Sequence, residues 1–153
     1  MQTFIFGKTA TGLPIPAYRF GHHGPKVLIL GGVHGDEIEG VVAAHGLLQE
    51  FAQSFVFRLQ VILVPAFNLD GVLRQDRLNA NGVDLNRNLP THDWTSEIAK
   101  PRYNPGKTAN SEPENQALVD FLTEEKPHFV LSLHSWKPLL NVNGKCRREA
   151  EAI

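Results

Sequence analysis

The chain has 153 residues, 15 Lys+Arg, 16 Asp+Glu, seven His, a formal net charge of −1 and an apolar fraction of 42%. That balance suits one soluble domain with a real core and excludes a disordered chain. It gives no basic excess for nucleic acid, and no run of about 18 apolar residues for a membrane span. No basic start followed by an apolar core marks a secretory signal at the N-terminus, and a lone Cys146 excludes an internal disulfide framework. A cytoplasmic location is the expectation.

Thr3 to Phe20 reads as a β-hairpin or two edge strands, with a turn at Thr11-Gly12. Val27-Leu28-Ile29-Leu30 is a continuous apolar run that ends in Gly31-Gly32. Such a run suits a strand buried on both faces. A helix is expected from about Glu37 to Ala52, because Ile38, Val41, Val42, His45, Leu48 and Phe51 recur at helical spacing. His45 on that face reads as core. Leu59 to Val64 is a second buried strand, closed by Pro65.

Asn79 to Asn110 is rich in Asn, Pro and Thr and reads mostly as loop. Loops of that length in compact domains are often functional. Ser111 is expected to cap a helix that has Pro113 in its first turn and Glu114 three residues on. Ala117, Leu118, Phe121 and Leu122 form its buried face. Phe129 to Leu133 is a further apolar strand. The alternation predicts an α/β fold with a mixed, largely parallel sheet flanked by helices. Cys146 to Ile153 reads as the opening turns of a helix whose apolar positions, Ala150 and Ile153, have no continuation. The expectation is one domain over residues 1–153, incomplete at its C-terminal end.

Three places carry chemistry. His34 and Glu37 stand three apart, between a buried strand and a helix. In parallel sheets, ligands bind beyond the carboxyl ends of strands. An imidazole and a carboxylate facing one point suit a first-row metal, zinc best. His134 follows the last apolar strand and could be a third ligand, leaving one position for water. Singly, each has a bland explanation: a hydrogen-bonded structural His, a chance spacing, a tight glycine turn. Together, at two strand ends, they favour a metal.

The third place is the stretch from Arg74 to Asn88. Arg grips a carboxylate bidentately and Asn adds a donor, so Asn86-Arg87 suits a substrate carboxylate. Arg74 reads as solvated, and Asp84 as a loop brace. Among the other His, His22 and His23 read as exposed turn residues, and His92 and His128 have no ligand-like neighbour.

These residues resemble the zinc carboxypeptidase family. His34-Gly35-Asp36-Glu37 is similar to its His-x-x-Glu motif, Gly82 to Asn88 to its Asn-Arg motif, and His134-Ser135 to its third-ligand motif. Ala66-Phe67-Asn68-Leu69-Asp70-Gly71 resembles a family segment that usually has Pro where Leu69 stands. The matches run in family order from about Leu28 to Trp136. The chain looks most like bacterial murein peptide amidases.

The resemblance implies one zinc per chain, held by His34, Glu37 and His134. It implies Asn86 and Arg87 as the clamp on the terminal carboxylate of a small peptide, with Ser135 counted beside them. It implies Arg77 as the catalytic residue that polarises the carbonyl. The expected partner is therefore a peptide with a free carboxylate, with neither nucleic acid nor membrane. The family's catalytic Glu lies well downstream of the third ligand. Glu149 and Glu151 are the only acids after His134, and the role is transferred to neither. The alternatives are an N-acyl amino acid deacylase of the succinylglutamate desuccinylase/aspartoacylase type and a non-catalytic metal- or peptide-binding fragment.

Overall fold

The structure is a computed structural model that describes residues 1–135, 137, 139–144 and 148. The helix expected from Cys146 lies outside the described residues. So do Trp136, Glu149, Ala150, Glu151 and Ile153.

The hairpin is β1 (Gln2–Lys8) and β2 (Pro14–Phe20), antiparallel. Its turn rests on Gly12 at φ +86°, a conformation open to glycine. β2 is interior, because its far edge pairs antiparallel with β4 (Gln60–Val64). β4 then pairs parallel with β3 (Lys26–Leu30), and β3 parallel with β5 (Phe129–Ser132). The sheet order is β1-β2-β4-β3-β5. The sheet is mixed, as the alternating pattern predicts.

The continuous apolar runs are buried on both faces because side chains alternate across the sheet. Leu28, Leu30, Ile62 and Val64 pack with Phe6, Phe67 and Leu118, on the side of α3 (Pro113–Glu125). Ile29, Val61 and Leu63 pack with Phe20 and Ala44, on the side of α1 (Ile38–Gln53). The sheet thus lies between two helical layers.

Two sequence expectations are corrected. His45 is exposed, and its Nδ1 lies 3.0 Å from the Val41 carbonyl of its own helix. The helix lies so close to the sheet that a Cβ on Gly31 would meet the Ala44 Cβ at 2.7 Å. Only a narrow stripe through Gly40, Val41 and Ala44 is buried, which leaves Val42 65% exposed. Ser111 is not the cap of α3. Its hydroxyl donates to Glu112 Oε1 at 2.7 Å and accepts from Asn88 Nδ2 at 3.1 Å. Glu112 takes the cap position, with no side-chain bond to the helix.

A short helix, α2 (Leu69–Arg74), was not anticipated. Asn68 caps it by accepting from the Gly71 N–H at 3.0 Å, and Gln75 ends it at φ 54°. The long loop holds two single turns of 3₁₀ helix, Leu85–Arg87 and Pro101–Tyr103. Among the described residues no helix is long and apolar enough to cross a membrane.

Candidate metal and carboxylate site

The carboxyl ends of β3 and β5 lie side by side, and the chain turns off both toward one point. After β3, Gly31 N–H bonds the Val64 carbonyl at 2.9 Å, and Gly32 turns at φ +61°. Gly35 is obligatory for space: a Cβ there would lie 2.0 Å from the Gly71 carbonyl carbon and 2.4 Å from the Asp76 oxygen. The backbone of α2 and its exit is therefore pressed against the turn between His34 and Glu37. Glu37 is the N-cap residue of α1. After β5, Leu133 N–H still bonds the Leu30 carbonyl at 2.9 Å, which delivers His134 beside His34.

The ring centroids of His34 and His134 are 4.9 Å apart. His34 Nδ1 lies 2.9 Å from Glu37 Oε1, and His134 Nδ1 lies 2.7 Å from Glu37 Oε2. Potential ligand atoms of the three residues all fall within 4.8 Å of one another. His34 and Glu37 are buried, and the His134 side chain is 27% exposed. Two imidazoles and a carboxylate, partly open to solvent, are the donor chemistry of a catalytic zinc centre. The residues present fit the ion.

The outer nitrogens are held as well. His34 Nε2 lies 3.2 Å from Asp84 Oδ1, and His134 Nε2 lies 2.9 Å from the Ser132 hydroxyl. Asp84 is fully buried. Its second oxygen accepts from Arg77 Nε at 3.0 Å and Nη2 at 2.9 Å, while Oδ1 also accepts from the Asn86 N–H at 3.0 Å. Asp84 is therefore the brace the sequence suggests, and also the link from His34 to Arg77. The position two residues before Asn86-Arg87 was the available signal for it.

Burial pushes the Glu37 carboxyl up. The charge on His34, and the hydrogen bond and charge of His134, outweigh it, so the group sits below the usual carboxylate value. Burial likewise raises Asp84, and its bonds and charges from His34 and Arg77 bring it below the ordinary value.

Arg77 reaches the cluster, with Nη1 3.5 Å from Glu37 Oε1. Asn86 and Arg87 sit exposed on the 3₁₀ turn behind Asp84. Ser135 donates its hydroxyl to Glu39 Oε2 at 2.7 Å. Arg74 is exposed, as are His22, His23 and His92. His128 Nδ1 accepts the Lys26 N–H at 3.2 Å, far from the cluster in the chain's layout. Two residues escaped the sequence reading. Asn88 is fully buried: its Nδ2 donates to the Pro105 and Thr108 carbonyls, and its Oδ1 accepts from the Glu112 N–H. Tyr103 packs its ring against the guanidinium of Arg77, 5.1 Å from centroid.

Comparison with known proteins agrees with this geometry. A family model described as zinc carboxypeptidase matches residues 1–149. The chain belongs to the zinc carboxypeptidase family. It is 38% identical over 118 residues to murein peptide amidase A of Escherichia coli strain K12, covering 70% of this chain and 48% of that protein. It is 31% identical over 143 residues to murein peptide amidase A of Vibrio campbellii, covering 84% and 56%. The structure of murein-tripeptide amidase from Escherichia coli O157 superposes with a TM-score of 0.71 at 30% identity, over 92% of this chain and 62% of that one. Bovine thrombin-activatable fibrinolysis inhibitor, at 20% identity and a TM-score of 0.78, shares the fold. This zinc carboxypeptidase chain spans about half the length of the curated relatives it matches.

Proposed function

We propose that the chain carries the zinc-binding and carboxylate-binding parts of a metallocarboxypeptidase-type hydrolase acting on small peptides with a free C-terminal carboxylate, murein-derived peptides among them. The supporting observation is the convergence of His34, Glu37 and His134, with ligand atoms within 4.8 Å of one another and Arg77 alongside. One zinc per chain is held by those three residues. Zinc, when bound, supplies Lewis acidity toward a carbonyl and toward water.

The chain's own residues do the rest. Asp84 holds His34 in the tautomer with hydrogen on Nε2, which leaves Nδ1 as the donor atom. Arg77, oriented by Asp84, offers N–H groups to a carbonyl oxygen as negative charge grows on it. Asn86 and Arg87 take the terminal carboxylate and fix the scissile bond relative to Arg77. Ser135 joins them by giving up its bond to Glu39. Among the described residues, the carboxylates that touch the imidazoles are Glu37 and Asp84, and both are committed. No general base is assigned, and the chain by itself is expected to hydrolyse peptides slowly, since loss of such a base removes about 10²–10⁴-fold of rate.

The deacylase reading draws on a 26% identical aspartoacylase family structure from Mesorhizobium loti, with a TM-score of 0.64. The 38% identity to murein peptide amidase A supports the peptidase reading over it. The experiment is zinc content by mass spectrometry in the native chain and in the His34→Ala, Glu37→Ala and His134→Ala variants. One equivalent in the first and a large loss in the others is expected. Equal content in native and His34→Ala protein would remove the metal assignment.

A further inference from the structure

Three guanidinium groups surround one aromatic ring. From the Tyr103 centroid, Arg77 lies at 5.1 Å, Arg102 at 5.5 Å and Arg87 at 5.8 Å. Their charges are unequally compensated. Arg77 is bound by Asp84 and faces Glu37. Arg102 has Asp36 at 3.6 Å, and its side chain is 57% exposed. Arg87 is exposed and, among the described residues, makes no ion pair. Cations gathered round one ring repel each other, and the ring face offsets only part of that. Such a corner draws anions.

We infer that Arg102, beside Arg87, receives a second carboxylate of the substrate, so that the preferred ligand is a peptide with two carboxylates close together at its C-terminal end. This rests on the reading of Arg87 as the clamp for the terminal carboxylate. The guanidinium fork matches a carboxylate. The partner Arg102 has now is beyond hydrogen-bond distance and exposed, so exchanging it costs little.

The backbone beneath Arg102 is fixed to the rest of the site. It lies in the 3₁₀ turn Pro101–Tyr103. The next residue, Asn104, accepts the Asp84 N–H at 2.8 Å through its carbonyl and donates Nδ2 to the Gly82 carbonyl at 2.8 Å. The loop that presents Arg102 is thus tied to the residue that orients His34 and Arg77.

The test is calorimetric binding of N-acetyl-alanyl-glutamate and N-acetyl-alanyl-glutamine to the zinc-free chain at low salt. Both peptides have a free C-terminal carboxylate, and they differ only in the second acid. The glutamate peptide is expected to bind about tenfold more tightly, the scale of one charge-assisted contact. In Arg102→Gln that ratio should fall toward one while the glutamine peptide keeps its affinity. Arg102→Lys should retain part of the ratio. Equal affinities in the native chain, or an unchanged ratio in Arg102→Gln, would overturn the second-carboxylate site alone. Failure of both peptides to bind would overturn the Arg87 clamp, and this site with it.

Discussion

Asp84 meets His34 Nε2 at 3.2 Å, across 50 residues of sequence. A carboxylate can only accept, so it fixes the hydrogen on Nε2 and orients the ring. Asp84→Asn keeps the shape but can present a donor to that nitrogen. It should weaken zinc binding about 10–100-fold, the usual cost of losing such a partner. Competition titration against a zinc-binding dye measures this, and native affinity in the variant would separate Asp84 from the metal.

Gly35 has backbone on its open side. The Gly71 oxygen at 2.3 Å from a built Cβ cannot move without moving α2. Gly35→Ala should cost about 1–3 kcal/mol of stability, as overpacking does, and should also lower zinc content by displacing His34 from Glu37. Urea unfolding checks the first and metal analysis the second. Gly46, where a Cβ meets nothing within 4 Å, serves as the control substitution.

Arg87 should decide between free and amidated C-termini. Arg87→Ala is expected to remove about 2–5 kcal/mol of that preference, the range for truncating one partner of a charged contact. Binding of a free-acid peptide and its amide would be compared in both proteins. An equal loss on the two peptides would place the clamp elsewhere.

Glu125 binds Arg19 Nη2 at 2.6 Å and also pairs with Lys26 Nζ. The hydrogen bonds from Arg19 and Lys26 hold its carboxyl below the ordinary value of 4.5. A lowered folded value means the unfolded chain binds the proton more readily. The stabilisation is therefore complete above about 4.5 and fades as pH falls through the folded value. Glu125→Gln should flatten that acid limb of the stability curve. The groups are partly exposed, so the change near neutrality should stay within about 1 kcal/mol. A limb of unchanged slope would show that other carboxyls carry it.

The central strands were legible because burial on both faces leaves continuous apolar runs, as at Val61 to Val64. His34 and His134 were legible because each follows such a run. α2 was not, because six residues are too few for a helical period and Gly71 lies within them; Asn68 was the one local signal. His45 was misread because helical spacing gives an apolar arc without saying how closely the helix approaches. That distance is set by Gly31 and Gly40, whose added Cβ atoms would strike Ala44 and the Leu133 carbonyl. Tyr103 could not be found in sequence. Its neighbours are gathered only when Asn88 and Asn104 fold the polar loop back on itself.

The parallel pairing of β3 with β5 gives the cluster a place in time as well as in space. Ribosomes add about 5–20 residues each second, so His134 follows Glu37, 97 positions earlier, by roughly 5–20 s. Through that interval His34 and Glu37 are a two-donor fragment on an unfinished sheet. The third donor arrives only when β5 docks on β3. Acquisition of the ion is thereby coupled to closure of the parallel sheet, and an emerging polypeptide cannot trap it earlier with the full donor set.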